Sequence, residues 1–182
     1  LHHEVALRVA TALDAPLSIA ERERLAERAA VNSEAFASYL RGRFFWHQRT
    51  ASSYARAIEH FERALAQDSL FAPAYAGLAS VYVQLGMSGQ LPIAEAAAKT
   101  RAMVLRAVAL ADNSAEAHAV LALYLHGYAW DSEAAEREFR CAPELDPNHP
   151  MTNQYYSTFL RSHGRFDEAV AHGRRAVEFD PL

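Results

Sequence analysis

Apolar residues along this chain recur at helical spacing and in no segment alternate with period two. Tyr54, Ala57, Ile58 and Phe61 fall three and four residues apart, on one side of a helix for which Thr50 is a natural N-cap. Alanine, leucine, glutamate and arginine dominate, while glycine and proline cluster at a few joints. The pattern predicts an all-α fold. Its joints repeat: "AQDS" ends at Ser69, "LADN" carries Asp112, "ELDP" ends at Pro147 and "EFDP" ends at Pro181. Five residues ahead of each stands an alanine, namely Ala64, Ala107, Ala142 and Ala176. Further upstream lie Ala57 and Phe61, then Val104, then Ala135 and Phe139, then Ala169. From joint to joint the chain advances 43, 35 and 34 residues. Helices spaced this way cannot bury their apolar faces alone and must stack on their neighbours.

A period near 34 built from helix pairs resembles the tetratricopeptide repeat, and the likeness holds position by position. Tyr75, Leu78, Ala79 and Tyr82 match the first helix of one repeat; His118, Leu121, Ala122 and Leu125 match the next, with His118 in place of an aromatic. Asn153, Tyr156, Ser157 and Leu160 are a degenerate version, followed by "GRFDEAVAHGRRAVEFDP", where Gly173 replaces the usual phenylalanine. The resemblance implies a right-handed α-solenoid of about four helix pairs, over 32–69, 70–112, 113–147 and 148–182; residues 1–31 lie outside it and, with a break at "DAP" and a capping box from Ser18 to Glu21, read as a helical linker or cap. Three extra residues are expected between the helices of the first repeat. "QLGMSGQLP", Gln84 to Pro92, is expected to be a long joint. "SYLRGRFFWHQRT", "AYAGLASVY" and "YAWDSEAAEREF" also resemble C-terminal repeat regions of multidomain bacterial regulators, where such repeats follow a winged-helix, adenylate cyclase or protein kinase domain.

The aromatic and arginine run "YLRGRFFWHQRT", Tyr39 to Thr50, has the residue types that grip single-stranded nucleic acid. On a helix, however, Phe44, Phe45 and Trp46 diverge by about 100° per residue and cannot form one stacking platform. They read as core, with Gly42 expected to admit a neighbouring backbone. A net charge of −4 and a pI near 6.1 also argue against a nucleic-acid or anionic-membrane partner. Cys141 is the only cysteine, so no intrachain disulfide is possible. No apolar run reaches the length of a membrane span and no signal peptide is evident, so a cytoplasmic location is expected. The chain starts without methionine, already in helical pattern, and reads as part of something longer.

No catalytic residue, cofactor or metal site is expected. "GMSGQ" lacks the second glycine and the preceding strand of a nucleophile elbow. His118 and His126 lie eight residues apart, too far along one helix to share a metal by themselves. Glu133, Glu136 and Glu138 with Arg137 and Arg140 read as a solvated charged face. Function then falls to the concave face that the resemblance implies. Its candidates are Ser80, Val83 and Gln84; Leu123 and His126; and Met151, Gln154, Thr158 and Arg161, with Ala76 and Ala119 beside them. None of these is the lysine or asparagine of a carboxylate clamp. The expected partner is a protein or peptide segment with hydrophobic anchors. Val170, Val177 and Phe179 on the last helix suggest a homodimer through the fourth repeat.

Overall fold

The structure, a computed structural model, describes residues 33–179. The linker expected over 1–31 and the joint at Pro181 lie outside the described residues. Among these there are eight α-helices and no strand: α1 (Ser33–His47), α2 (Ala51–Gln67), α3 (Ala72–Met87), α4 (Ile93–Leu110), α5 (Ala115–Gly127), α6 (Ser132–Leu145), α7 (Pro150–Ser162) and α8 (Phe166–Phe179). Consecutive helices pair through short turns, so the chain is a series of α-hairpins. They form two compact units divided between Ala111 and Asp112, with α1–α4 in the first and α5–α8 in the second.

Local chemistry starts these helices. The Thr50 hydroxyl accepts from the Ser53 amide at 3.1 Å, and the Ser53 hydroxyl accepts from the Thr50 amide at 2.9 Å, which satisfies two donors a helix start leaves orphaned. Asp131 caps α6 by accepting from the Ala134 amide at 2.9 Å. Two expectations about the joints are corrected. The connection 48–50 is no longer than that over 163–165; the extra length of the first repeat lies in its helices, which have 15 and 17 residues. Likewise Gln84–Met87 belongs to α3, and the chain turns only over 88–92. There Gly89 takes a positive φ of 70°, and the amides of Gln90 and Leu91 both reach back to the Leu85 carbonyl, closing the helix end.

The core of the first unit is organised by Phe61 of α2, whose side chain is fully buried. Its ring lies between α1 and α3, so close that a Cβ on Gly42 would sit 2.5 Å from it and one on Gly77 2.7 Å. Gly42 therefore admits a ring, where a neighbouring backbone was expected. Tyr39 completes the cluster, 5.8 Å from Phe61 and edge-on to Phe71 at 5.5 Å. Of the arginines in the aromatic run of α1, Arg43 is buried and donates to the Tyr39 hydroxyl at 3.0 Å, while Arg41 is exposed. Arg56 lies 3.8 Å above the Phe45 ring, Arg49 lies 5.1 Å from Trp46, and Phe45 and Trp46 are buried. In the second unit Phe139 of α6 is the fully buried ring; it stacks on Tyr156 at 5.5 Å and meets Phe159 at 5.0 Å, both on α7, with Ala122, Ala135, Leu160 and Ala169 around it.

A polar device recurs at each joint. The Tyr75 hydroxyl donates to the Ser69 carbonyl at 3.2 Å, His118 Nε2 lies 2.7 Å from the Asp112 carbonyl, and Asn153 Nδ2 donates to the Pro147 carbonyl at 2.9 Å. Each side chain reaches six residues back. Three unlike residues thus fasten the start of α3, α5 and α7 to the turn before it. Such a bond matters most where the donor is buried, as Asn153 is, because an unpaired amide there costs about 1–3 kcal/mol.

Truncating either buried ring should cost about 3–5 kcal/mol through lost burial and the cavity left behind. Adding a methyl at Gly77 should cost about 1–3 kcal/mol by overpacking against Phe61. Urea unfolding of Phe61→Ala, Phe139→Ala and Gly77→Ala measures each value. Because Phe61 and Gly77 touch, Gly77→Ala combined with Phe61→Leu is expected to cost less than the sum of the two single changes. Full additivity would refute the proposed contact.

Candidate functional site

Three of the nine candidate residues offer no surface: Ser80 and Val83 of α3 and Met151 of α7 are buried. This corrects their assignment to an accessible groove. The cause on α3 is that it packs against α1, α2 and α4 at once and is apolar on almost every side, burying an unbroken run from Ala76 to Val83. Ala76 and Ala119 are buried for want of reach. Gln84, one turn beyond, is half-buried. In the second unit the other five candidates keep accessible surface. Leu123 and His126 of α5 are half-buried, and Gln154, Thr158 and Arg161 of α7 are exposed. Spacings of three and four residues put each set on one side of its helix, and α5 and α7 pack directly on each other.

The chemistry of this face is mixed. Leu123 leans on the buried cluster of Phe139, Phe159 and Leu160, which leaves a partly covered apolar patch between the helices. The Thr158 hydroxyl donates to the Gln154 carbonyl at 3.1 Å, so its oxygen keeps accepting capacity outward. Arg161 makes no ion pair among the described residues. His126 meets the Phe159 ring edge-on at 5.1 Å and the His163 ring at 5.3 Å. Burial, and then the neighbouring His163, hold the His126 pKa below the ordinary histidine value. His163 and Phe159 were not singled out from the sequence. The only signal was that Phe159 and His163 stand four apart at the end of α7.

Two carboxylates of the α6 face expected to be solvated are engaged. Glu138 Oε2 lies 2.6 Å from His118 Nδ1. Since His118 Nε2 faces a carbonyl, which only accepts, the ring is gripped from both sides and ties α5 to α6. Glu136 accepts from Arg165 on the next joint and from Arg140 at 2.8 Å, and the Arg165 hydrogen bond chiefly lowers its pKa. Burial pushes the Cys141 thiol up, with Glu138 and Glu144 adding to it, which disfavours a reactive thiolate. Among the described residues no group of three His, Cys, Asp or Glu side chains is placed to hold a metal, and no helix is long and apolar enough to cross a membrane.

The chain matches no protein-family profile and no curated protein. Solved structures do resemble it. TTC0263, a thermophilic TPR protein of Thermus thermophilus, superposes with a TM-score of 0.69 at 21% identity, over 98% of this chain and 92% of that one. Two structures of MamA give TM-scores of 0.50 and 0.52 at 19% and 17% identity, over 91% and 99% of this chain and 96% and 90% of theirs. At these identities the likeness establishes the fold alone, an all-α solenoid of helix pairs like that of these proteins.

His60, His126 and His172 all have pKa values lowered mainly by burial. A base whose folded pKa lies below its unfolded one binds fewer protons when folded, so its contribution to stability is full above about pH 6.5 and is lost as pH falls below it. The melting temperature is therefore expected to drop between pH 7 and pH 5, and less so in His172→Gln. A melting temperature that rises on acidification over this range would refute the assignment.

Proposed function

We propose that the chain is a protein-binding scaffold without catalytic activity, taking an extended or helical peptide segment on the α5–α7 face. Half-buried Leu123 and His126 would receive apolar anchors, while Gln154, Thr158 and Arg161 would bond the backbone and an acidic or C-terminal group of the ligand. What supports this reading is that Leu123 and His126 of α5 and Gln154, Thr158 and Arg161 of α7 keep accessible surface, and that these two helices pack on each other. Half-buried Gln84 is a separate, polar contact point on the first unit. The TPR-like fold supports the same class of function. The setting we propose is a larger cytoplasmic bacterial regulator of signalling or transcription; regulation of an adenylate cyclase or protein kinase is the alternative parent that the sequence resemblance suggests.

A second reading, self-association through the fourth repeat, has its own observation. Phe166, Val170 and Val177 of α8 are 63%, 53% and 64% exposed and fall on one narrow stripe of that helix. Gly173 lies in the same stripe, where Phe61 and Phe139 stand in earlier pairs, so α8 offers no ring of that kind to seat a further helix. A second copy laid on this stripe would bury its apolar side chains reciprocally.

Peptides selected from a random displayed library should carry apolar anchors beside an acidic or C-terminal group. Their affinity should fall about tenfold or more in Arg161→Glu combined with Thr158→Arg, since losing an ionised hydrogen bond costs about 1.5–3 kcal/mol. Unchanged affinity would remove the α5–α7 face from the reading. Independently, light scattering is expected to show a concentration-dependent dimer that Val177→Glu abolishes; a monomer up to high micromolar concentration would end the second reading.

A further inference from the structure

Beside the proposed peptide face, α5 and the end of α7 bring two imidazoles together over a single aromatic ring. His126 meets Phe159 edge-on at 5.1 Å, His163 tilts over the same ring at 4.2 Å, and the two imidazole centroids are 5.3 Å apart. A hydrogen bond sorts the ring nitrogens of His163. His163 Nδ1 lies 2.9 Å from the Phe159 carbonyl, which can only accept, so Nδ1 carries the proton and the lone pair is left on Nε2. Ser162 Oγ, 3.1 Å away, adds a second contact to the same nitrogen. Ser132 Oγ lies 3.4 Å from His126 Nδ1, a contact that a hydroxyl makes as donor or as acceptor. On both rings Nε2 has no hydrogen-bond partner among the described residues.

We propose that His126 and His163 form a two-histidine site for a borderline divalent transition metal, Zn²⁺ or Cu²⁺, bound through the two Nε2 atoms. The spacing is the first argument. A metal about 2.0–2.1 Å from Nε2 stands about 3.2 Å from the ring centroid, and two such rings at a tetrahedral angle have centroids about 5.2 Å apart. The observed centroid separation of 5.3 Å equals the spacing such a pair needs. The second argument is the outer hydrogen bond of His163: an Nδ1 proton given to a backbone carbonyl is the arrangement that orients a ligating histidine and raises the basicity of Nε2. The third is the floor. Phe159 is buried and packs under both rings, which restricts their rotation before any ion arrives. Imidazole suits Zn²⁺, Cu²⁺ and Ni²⁺ and not Mg²⁺ or Ca²⁺, which prefer oxygen. With two protein ligands the remaining positions go to water, or to a carboxylate or imidazole of a bound segment. His126 belongs to both the peptide face and this site, but the metal titration needs no peptide, so its outcome is separate from that of the peptide reading.

The test titrates the whole chain with ZnCl₂ and with CuCl₂, followed by calorimetry and by ¹⁵N NMR of the imidazoles. One ion per chain is expected, with the resonances of His126 and His163 perturbed and those of His118 and His172 unchanged. His163→Gln, a change at an exposed ring, should weaken binding about tenfold or more while leaving the circular dichroism spectrum intact; His126→Gln should do the same. Absence of saturable binding, or binding indifferent to His163→Gln, would overturn the proposal. So would binding that survives both changes and disappears only when His2 and His3 are replaced, which would assign the ion to the N-terminus.

Discussion

One buried ring from an outer helix decides how its neighbours cross. Phe61 in the first unit is fully buried and lies against α1 and α3, at positions where both lack a side chain. Protein interiors are close-packed, so such a ring limits how closely the two helices can approach. The second unit reaches the same end by other means. Phe139 is not met by glycines; it stacks on Tyr156 and meets Phe159, with alanines filling the remaining space. Four residues after Ala57 and Ala135 stand these two phenylalanines, and four after Ala169 stands Gly173. There the Ser157 hydroxyl, which donates to the Ala169 carbonyl at 2.7 Å, lies only 3.3 Å from where a Cβ would be.

Polar groups then settle register within the packed pairs. Tyr75, His118 and Asn153 have little in common as side chains, yet each fastens its helix to the carbonyl six residues earlier. What the position requires is a donor of the right reach, and aromaticity is incidental to it. His118 and Asn153 also hold the outer helix of their pair, through Glu138 at 2.6 Å and His172 at 2.8 Å respectively. A buried amide such as Asn153 is tolerated because both ends are bonded: its nitrogen also donates to the His149 carbonyl at 3.0 Å.

The two units differ in what they leave uncovered. In the first, α3 is enclosed by three helices and retains little more than Gln84 at its end as accessible polar surface among the candidate residues. In the second, α5 and α7 are shorter, at 13 residues each, and keep Leu123, His126, Gln154, Thr158 and Arg161 within reach of solvent. The proposed binding face and the histidine pair both follow from that difference. Surface charge adds modestly: exposed i,i+4 pairs such as Arg63 with Glu59 contribute only a few tenths of a kcal/mol.

Periodicity, joint residues and the repeat resemblance were enough to determine the helices, their pairing and three of the buried rings. Apolar spacing is a local property, and Phe61, Phe139 and Trp46 lie on stripes too apolar to face water. The candidate site was only half legible. A helical stripe shows which residues share a side, but not how many neighbours cover it, and so Ser80, Val83 and Met151 looked as accessible as Thr158 and Arg161. Contacts between separate helices were decided by tertiary structure alone: the ring of Phe61 against Gly42 and Gly77, Glu138 drawn out of a solvated face to His118, and His163 brought beside His126. Each joins residues 16 to 37 apart in sequence, and no local pattern encodes which turn of one helix will meet which turn of another; only the fit of buried side chains settles that.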